Sequence, residues 1–597
     1  MRRALCWATL FVLLSGSCVG FYVPGVAPKE FKQGDPIEVK AIKLTSTRTI
    51  VPFEYYSLPF CKPEHNAIHY KSENLGEVMR GDRIVNTPFD VAMRKDVTCS
   101  GLCPTNKLET TLTAEQSDLL RRRISEDYHL ATRSPETKEV FFDHGYRLGW
   151  AEKKGKDEKV FLNTHLEIVL RYHEPASEPL PSVQPRSIAH GATTFKDGKG
   201  CEIKDGAERQ ELVAGQENKI VWTYSVRWES SSVPWASRWD VYLKMKDVQI
   251  HWFSIINSLV VLACLSGFVS VILIRTIRRD IERFNRSEDL SNWNRQEDAL
   301  DESGWKLVHA DVFRPPPNAM LLVNLCGTGI QLLLMVFITI VFAAFGMLSP
   351  SSRGSLMSVA IVLYCLCGVI AGYHSGRLAK TLRVDQPRKC ALRTALLFPG
   401  LILGTGFLLN FFLIAKGSSG AVPLGTMVAL AFLWLCVDLP LVFIGHHFGY
   451  RKEKYQHPVR SNQIPRQIPE KPAYLKAVPC SLIAGILPFG AIFIELYFLM
   501  TSLYENQFYY LFGILMIVLV ISLAICAEVA LITVYFLLSA EDYKWHWKSF
   551  IISTGSAFYA SLLGALMALT FAILTGSVGF IASYIFVVKI YGAVKID

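Results

Sequence analysis

The stretch Ala319–Phe342, AMLLVNLCGTGIQLLLMVFITIVF, contains no charged side chain. As a helix, a run of about 20 such residues crosses a hydrocarbon layer of about 30 Å. Runs of the same kind follow at Ser355–Ser375, Thr394–Ala415, Val422–Gly445, Val478–Met500 and Phe508–Leu538, and then comes the apolar tract Phe550–Val588. Together they make residues 318–592 a multi-span helical membrane domain. One earlier span, Phe253–Ile274 within residues 251–275, ends at Arg275, Arg278 and Arg279, a stop-transfer cluster that opens a mixed-charge loop over 276–317. The expected fold is a polytopic α-helical membrane protein of about nine spans, or eight, behind an N-terminal β-rich lumenal domain.

Of the 597 residues 51% are apolar, a fraction diluted by the polar N-terminal half. The net charge of +10 does not point to nucleic acid, because the positive charge collects in particular loops. Arg377–Arg393 holds six basic residues and His446–Ala477 seven, against one each in Gly346–Gly354 and Lys416–Ala421 and none in Thr501–Gln507. Basic loops stay in the cytosol, so the N-terminal domain is expected on the opposite side. Residues 1–20 agree with this. They read as a signal peptide, with Arg2 and Arg3, an apolar run from Ala4 to Leu14 and small residues before a cut after Gly20.

Residues 21–250 then form the lumenal domain. Four cysteines remain in it, Cys61, Cys99, Cys103 and Cys201; an even number in an oxidising compartment predicts two disulfides with three pairings open. No second Cys or His pair at zinc-like spacing accompanies Cys99 and Cys103, so no metal is expected. Trp222, Tyr224, Val226 and Trp228 alternate as on a half-buried strand, and Leu162–Tyr172 and Ile37–Leu44 read similarly. Thr113–Asp127 is helical in pattern with Thr113 or Ser117 as cap, and Glu174–Pro185 reads as a Pro-rich loop. A sandwich or jelly roll fits best. No nucleophile elbow, metalloprotease motif or Cys/His arrangement appears, so no enzyme and no cofactor is expected.

Longer motifs carry a resemblance. They include Phe21-Tyr-Val-Pro-Gly25, Ser72-Glu-Asn-Leu-Gly-Glu77, Gly81-Asp-Arg-Ile84, Ser303-Gly-Trp-Lys-Leu-Val-His309 and Asp311-Val-Phe-Arg-Pro-Pro316. The second half adds His457-Pro-Val-Arg460, Asn462-Gln-Ile-Pro-Arg-Gln-Ile-Pro469, Gly485-Ile-Leu-Pro-Phe-Gly490, Phe493-Ile-Glu-Leu496, Glu505-Asn-Gln-Phe-Tyr-Tyr510 and Ala540-Glu-Asp-Tyr543. In this order they resemble the nonaspanins, the transmembrane 9 superfamily, over essentially the whole chain. Tyr55-Tyr-Ser-Leu-Pro-Phe-Cys61 is similar to the member-4 branch. One departure stands out. Only 40 residues lie between Lys548 and Lys589, barely room for two spans with a turn at Thr575-Gly576-Ser577, as if some tens of residues were missing. Eight spans would put the C-terminus in the lumen.

The resemblance implies a Golgi and endosomal sorting or escort factor for client transmembrane proteins, acting on their surface localisation and through it on adhesion and phagocytosis. It also implies that the tail 593–597, ending Lys595-Ile-Asp597, is a cytosolic signal read by the COPI coat. The residues themselves supply the rival. Asp438, Glu495 and Glu528 lie inside spans, each at a cost of about 2.5–3.5 kcal/mol, and so need a partner, a proton or a water-filled cavity. An ion or proton transporter would use them. Gly368 with Gly372, Gly400 with Gly404 and Gly485 with Gly490 suit close helix packing or a grip on client helices. His446 and His447, at a span end beside Arg451 and Lys452, read as interfacial rather than as a metal pair with His457.

Overall fold

The computed structural model describes residues 31–231, 252–289, 304–348, 354–470, 476–504, 512–560 and 564–593, apart from short stretches within the first range. The signal peptide expected at 1–20, Trp235 and Trp239, and the residues Lys595 and Asp597 lie outside the described residues. The chain divides into two compact units, one β-rich and one helical.

Six strands frame the β-rich unit: β1 (Lys40–Ser46), β2 (Val97–Gly101), β3 (Tyr128–Arg133), β4 (His165–Tyr172), β5 (Leu180–Arg186) and β6 (Thr223–Ser230). One sheet has the order β5-β4-β6-β2, with β4 and β6 parallel and the other pairs antiparallel. A second sheet has β1 against β3 at its centre, flanked by Val85–Asn86 and Tyr146–Arg147. The alternation around β6 holds: Trp222, Tyr224 and Val226 are buried, with Trp228 packed beside them. Ala41, Leu44 and Leu130 from one sheet and Leu166, Ile168 and Leu170 from the other join the same core. The Pro-rich loop expected up to Pro185 is corrected in its second half, where β5 pairs with β4. It is an edge strand, and there Pro181 and Pro185 can turn the side without an N–H away from the ladder.

Two short helices, α1 (Leu75–Met79) and α2 (Ala114–Ser125), each start from a capping box, Asn74 with Glu77 and Thr113 with Gln116. The motif residues near α1 have structural work. Glu73 Oε1 accepts from the Ile84 N–H at 2.7 Å, and Asp82 pairs with Lys43 at 2.7 Å, both side chains buried. The cysteines join as Cys61–Cys103 and Cys99–Cys201, with Cα–Cα distances of 5.1 and 5.0 Å.

The helical unit holds α3 (Trp252–Asp289), α4 (Ala319–Ala344), α5 (Ser355–Thr381), α6 (Pro387–Ala415), α7 (Leu424–Arg451), α8 (Ala477–Tyr504), α9 (Phe512–Ser539), α10 (Trp545–Ser553), α11 (Gly555–Ala560) and α12 (Ala565–Ala593). Among the described residues α4, α5, α6, α7, α9 and α12 are long and apolar enough to cross a membrane. The helices α3 and α8 contain shorter apolar runs, Ile256–Val271 and Val478–Gly490. Several helices outrun the apolar segments that announced them: α3 continues past Arg275 to Asp289, and α5 past Ser375 to Thr381.

The last tract is where expectation and structure part. No turn occurs at Thr575-Gly576-Ser577, which lies well inside α12. Thr575 and Ser577 donate back to the carbonyls of Phe571 and Ile573, at 2.9 and 2.7 Å, so their hydroxyls are satisfied within the helix. Gly576 leaves room for the ring of Phe550, which a Cβ would meet at 2.8 Å. The described helices instead end at Ala560 and start again at Ala565. The short pair α10–α11 rises only about 24 Å before α12 returns antiparallel to it. Trp545 lies 5.9 and 6.3 Å from the rings of Phe580 and Tyr584, while Phe550, further along α10, meets Gly576, earlier in α12.

Candidate functional site

A glycine ladder first brings two helices together. Cβ atoms added at Gly372 and Gly376 of α5 would run into the backbone of Val442 and His446, and at Gly445 and Gly449 of α7 into that of Val369 and Tyr373. Close backbone approach of this kind needs residues without side chains. The expected pair Gly368 and Gly372 is therefore internal, and so is Gly485, which packs on Gly555. Gly404 and Gly490 have nothing within 4 Å, so those two positions lie open.

Along this contact runs a buried polar seam. Asn324, Thr328 and Gln331 sit at i, i+4 and i+7 on one face of α4, all at most 1% exposed. Asn324 Oδ1 accepts from Thr394 Oγ1 of α6 at 3.1 Å, and Cys390 Sγ approaches it at the same distance. Ser375 Oγ of α5 lies 3.2 Å from His446 Nδ1 of α7. Further along, Gln331 Nε2 donates to Asp438 Oδ1 at 2.9 Å and to the Tyr364 carbonyl at 2.9 Å. Asp438 is 1% exposed. It ends a π-helical turn, Leu433–Asp438, with Pro440 just beyond. Such turns in α-helices are frequent at functional sites.

Of the three carboxylates singled out by sequence, Asp438 and Glu528 have different partners. Asp438 joins α7 to α4. Glu528 of α9 accepts a hydrogen bond from Ser266 Oγ of α3 at 2.5 Å, tying the first span to the bundle. Glu495 lies on α8, and its side chain is outside the described residues. The seam members Asn324, Thr328 and Gln331 were missed by sequence, although polar residues at helical spacing inside an apolar run were a usable signal. His446 is corrected from an interfacial to a buried residue. No cluster of metal-ligating side chains occurs among the described residues.

One end of the helical unit is closed by aromatic and polar contacts. Tyr591 OH near the end of α12 donates to the Trp305 carbonyl at 2.6 Å, and Trp545 Nε1 to that of Val312 at 2.9 Å. His457 stacks on Phe313 at 4.4 Å and lies 2.8 Å from Tyr584 OH. Asp311 Oδ2 accepts from the Arg466 N–H at 3.2 Å, and Arg466 pairs with Glu541 at 3.1 Å. Arg377 lies over the Tyr455 ring at 4.0 Å. The C-terminal end of α12 and the basic segments after α5 and α7 therefore share one end of the unit.

The family described as endomembrane protein 70 matches residues 52–576. Transmembrane 9 superfamily member 4 of Rattus norvegicus is 48% identical to this chain, with 99% of each covered. Member 10 of Arabidopsis thaliana is 41% identical, with 98% of each covered, and member 2 of Pongo abelii 36%, with 97% of this chain and 95% of that protein covered. The alignment with the rat protein runs over 648 positions, more than the 597 residues here, so that relative has residues without a counterpart in this chain. No solved structure matches. The chain is a member of the transmembrane 9 superfamily, the nonaspanins.

Proposed function

We propose that this protein is a Golgi and endosomal sorting or escort factor that brings client transmembrane proteins to the cell surface, with adhesion and phagocytosis as downstream readouts. The observation that carries this reading is the antiparallel return of α12, whose end lies beside Trp305 and the basic segments. With basic loops on the cytosolic side, Lys595 and Asp597 emerge into the cytosol, where a COPI coat can read one cation beside two terminal carboxylates. Gly404 and Gly490, open on the bundle surface, let a client helix come close to α6 and α8. No bond-making chemistry enters this scheme. The lumenal side holds the β-rich unit, and the bilayer supplies the remaining contacts of the spans.

The double variant Lys595→Ala with Asp597→Ala is expected to lose capture by purified COPI coat at least about tenfold, a change of about 1.4 kcal/mol, and to leave the Golgi for later compartments. Unchanged capture and unchanged Golgi residence would remove the tail from the account.

A further inference from the structure

The Asp438 site has an imbalance of donors and acceptors. Gln331 has two amide hydrogens, and both are used, on Asp438 Oδ1 and on the Tyr364 carbonyl. That leaves Asp438 Oδ2 and Gln331 Oε1, two acceptors on the same two residues, buried and without a hydrogen bond. Rotating the amide does not help, because its oxygen would then face the Tyr364 carbonyl and Asp438 Oδ1 together. The groups near Asp438 supply no cation. Gln331 of α4 and Gly368 of α5 lie against it, and Tyr364 and Cys365 of α5 are within electrostatic reach; the Tyr364 hydroxyl is buried and makes no hydrogen bond to Asp438, and His446, two turns along α7, is held by Ser375. Among the described residues no ion pair reaches Asp438. A carboxylate buried without a countercharge neutralises itself instead.

We propose that Asp438 and Gln331 form a proton-binding site that ties α7 to α4. One proton on Asp438 Oδ2 makes it a donor to Gln331 Oε1, closing a two-bond acid–amide pair and satisfying both orphan acceptors at once. The O–H bond forms with a proton taken from water and returns it to water on release, with no other bond made or broken. Loss of the proton sets a bare carboxylate against the amide oxygen and loosens α7 from α4 beside the glycine ladder. A proton held in the folded state is a stabilising ligand, so stability falls as rising pH removes it. This inference stands apart from the escort reading and survives its failure.

The test uses the full-length chain in lipid nanodiscs, wild type beside Asp438→Asn. The asparagine mimics the protonated acid, since its amide donates to Gln331 Oε1 at any pH. Infrared titration of the wild type should show a protonated-carboxyl band that Asp438→Asn lacks entirely and that vanishes as pH rises. The melting temperature should fall through the same step in the wild type but not in Asp438→Asn. If that variant does not accumulate, wild type carrying isotope-labelled aspartate gives the same reading, as a labelled protonated band. Absence of the band at every pH overturns the proposal. So does a carboxylate band that answers to added sodium at fixed pH, which would make this a cation site.

Discussion

Asp82→Asn is expected to destabilise the β-rich unit by about 3–5 kcal/mol, the usual cost of removing one partner from a buried ion pair. Lys43 and Asp82 lie 2.7 Å apart with side chains only 4% and 2% exposed. The ammonium also donates to the Arg80 carbonyl at 2.8 Å. Asparagine preserves shape but leaves the ammonium buried without its countercharge. Replacing both, as Lys43→Met with Asp82→Leu, should recover most of the loss, because a buried pair contributes little over apolar residues of similar volume. Hydrogen exchange in β1 of the full-length protein reads the effect. Protection unchanged in Asp82→Asn would mean that the pair is solvated, against its burial.

The second large effect is a loss of stability in acid through His165. Its ring is buried between Thr223, at 2.9 Å from Nδ1, and Ser225, at 3.3 Å from Nε2. Burial lowers its pKa from 6.5 to about 4, with Arg186 adding to the shift and Glu167 opposing it. The unfolded chain binds the proton first, so the stability is fully present above pH 6.5. It falls as pH drops from 6.5 towards 4 and levels off below. Over that window the loss reaches up to about 3 kcal/mol. Exchange protection of β4 and β6 should fall with it, and His165→Gln should flatten the dependence. An equally steep dependence in His165→Gln would assign the acid sensitivity elsewhere.

The membrane domain was legible because a span must satisfy its own backbone and be apolar for about 20 residues. Its ends were not. Hydropathy marks where lipid stops, whereas α3 and α5 continue through Arg275 and Thr381 because helical hydrogen bonding continues outside the apolar layer. Capping at Thr113 was readable from local chemistry. The strand β5 was hidden because prolines in sequence announce a loop, and only its edge position tolerates them. At the C-terminal hairpin Thr575-Gly576-Ser577 has turn composition, yet within a membrane helix those residues are small packing groups. Asp438 stood out as a charge in a span, but its partner Gln331 is distant in sequence, and no local pattern connects them.

A coat can reach the tail only if α12 returns to the side of the basic segments. An epitope tag placed between Ala593 and Val594, with the native ending kept, tests this in sealed microsomes by protease accessibility. The account predicts digestion without detergent, matching a tag placed in the segment after Arg451. Protection of the C-terminal tag until detergent is added would contradict it and would put Lys595 and Asp597 out of reach of any cytosolic coat.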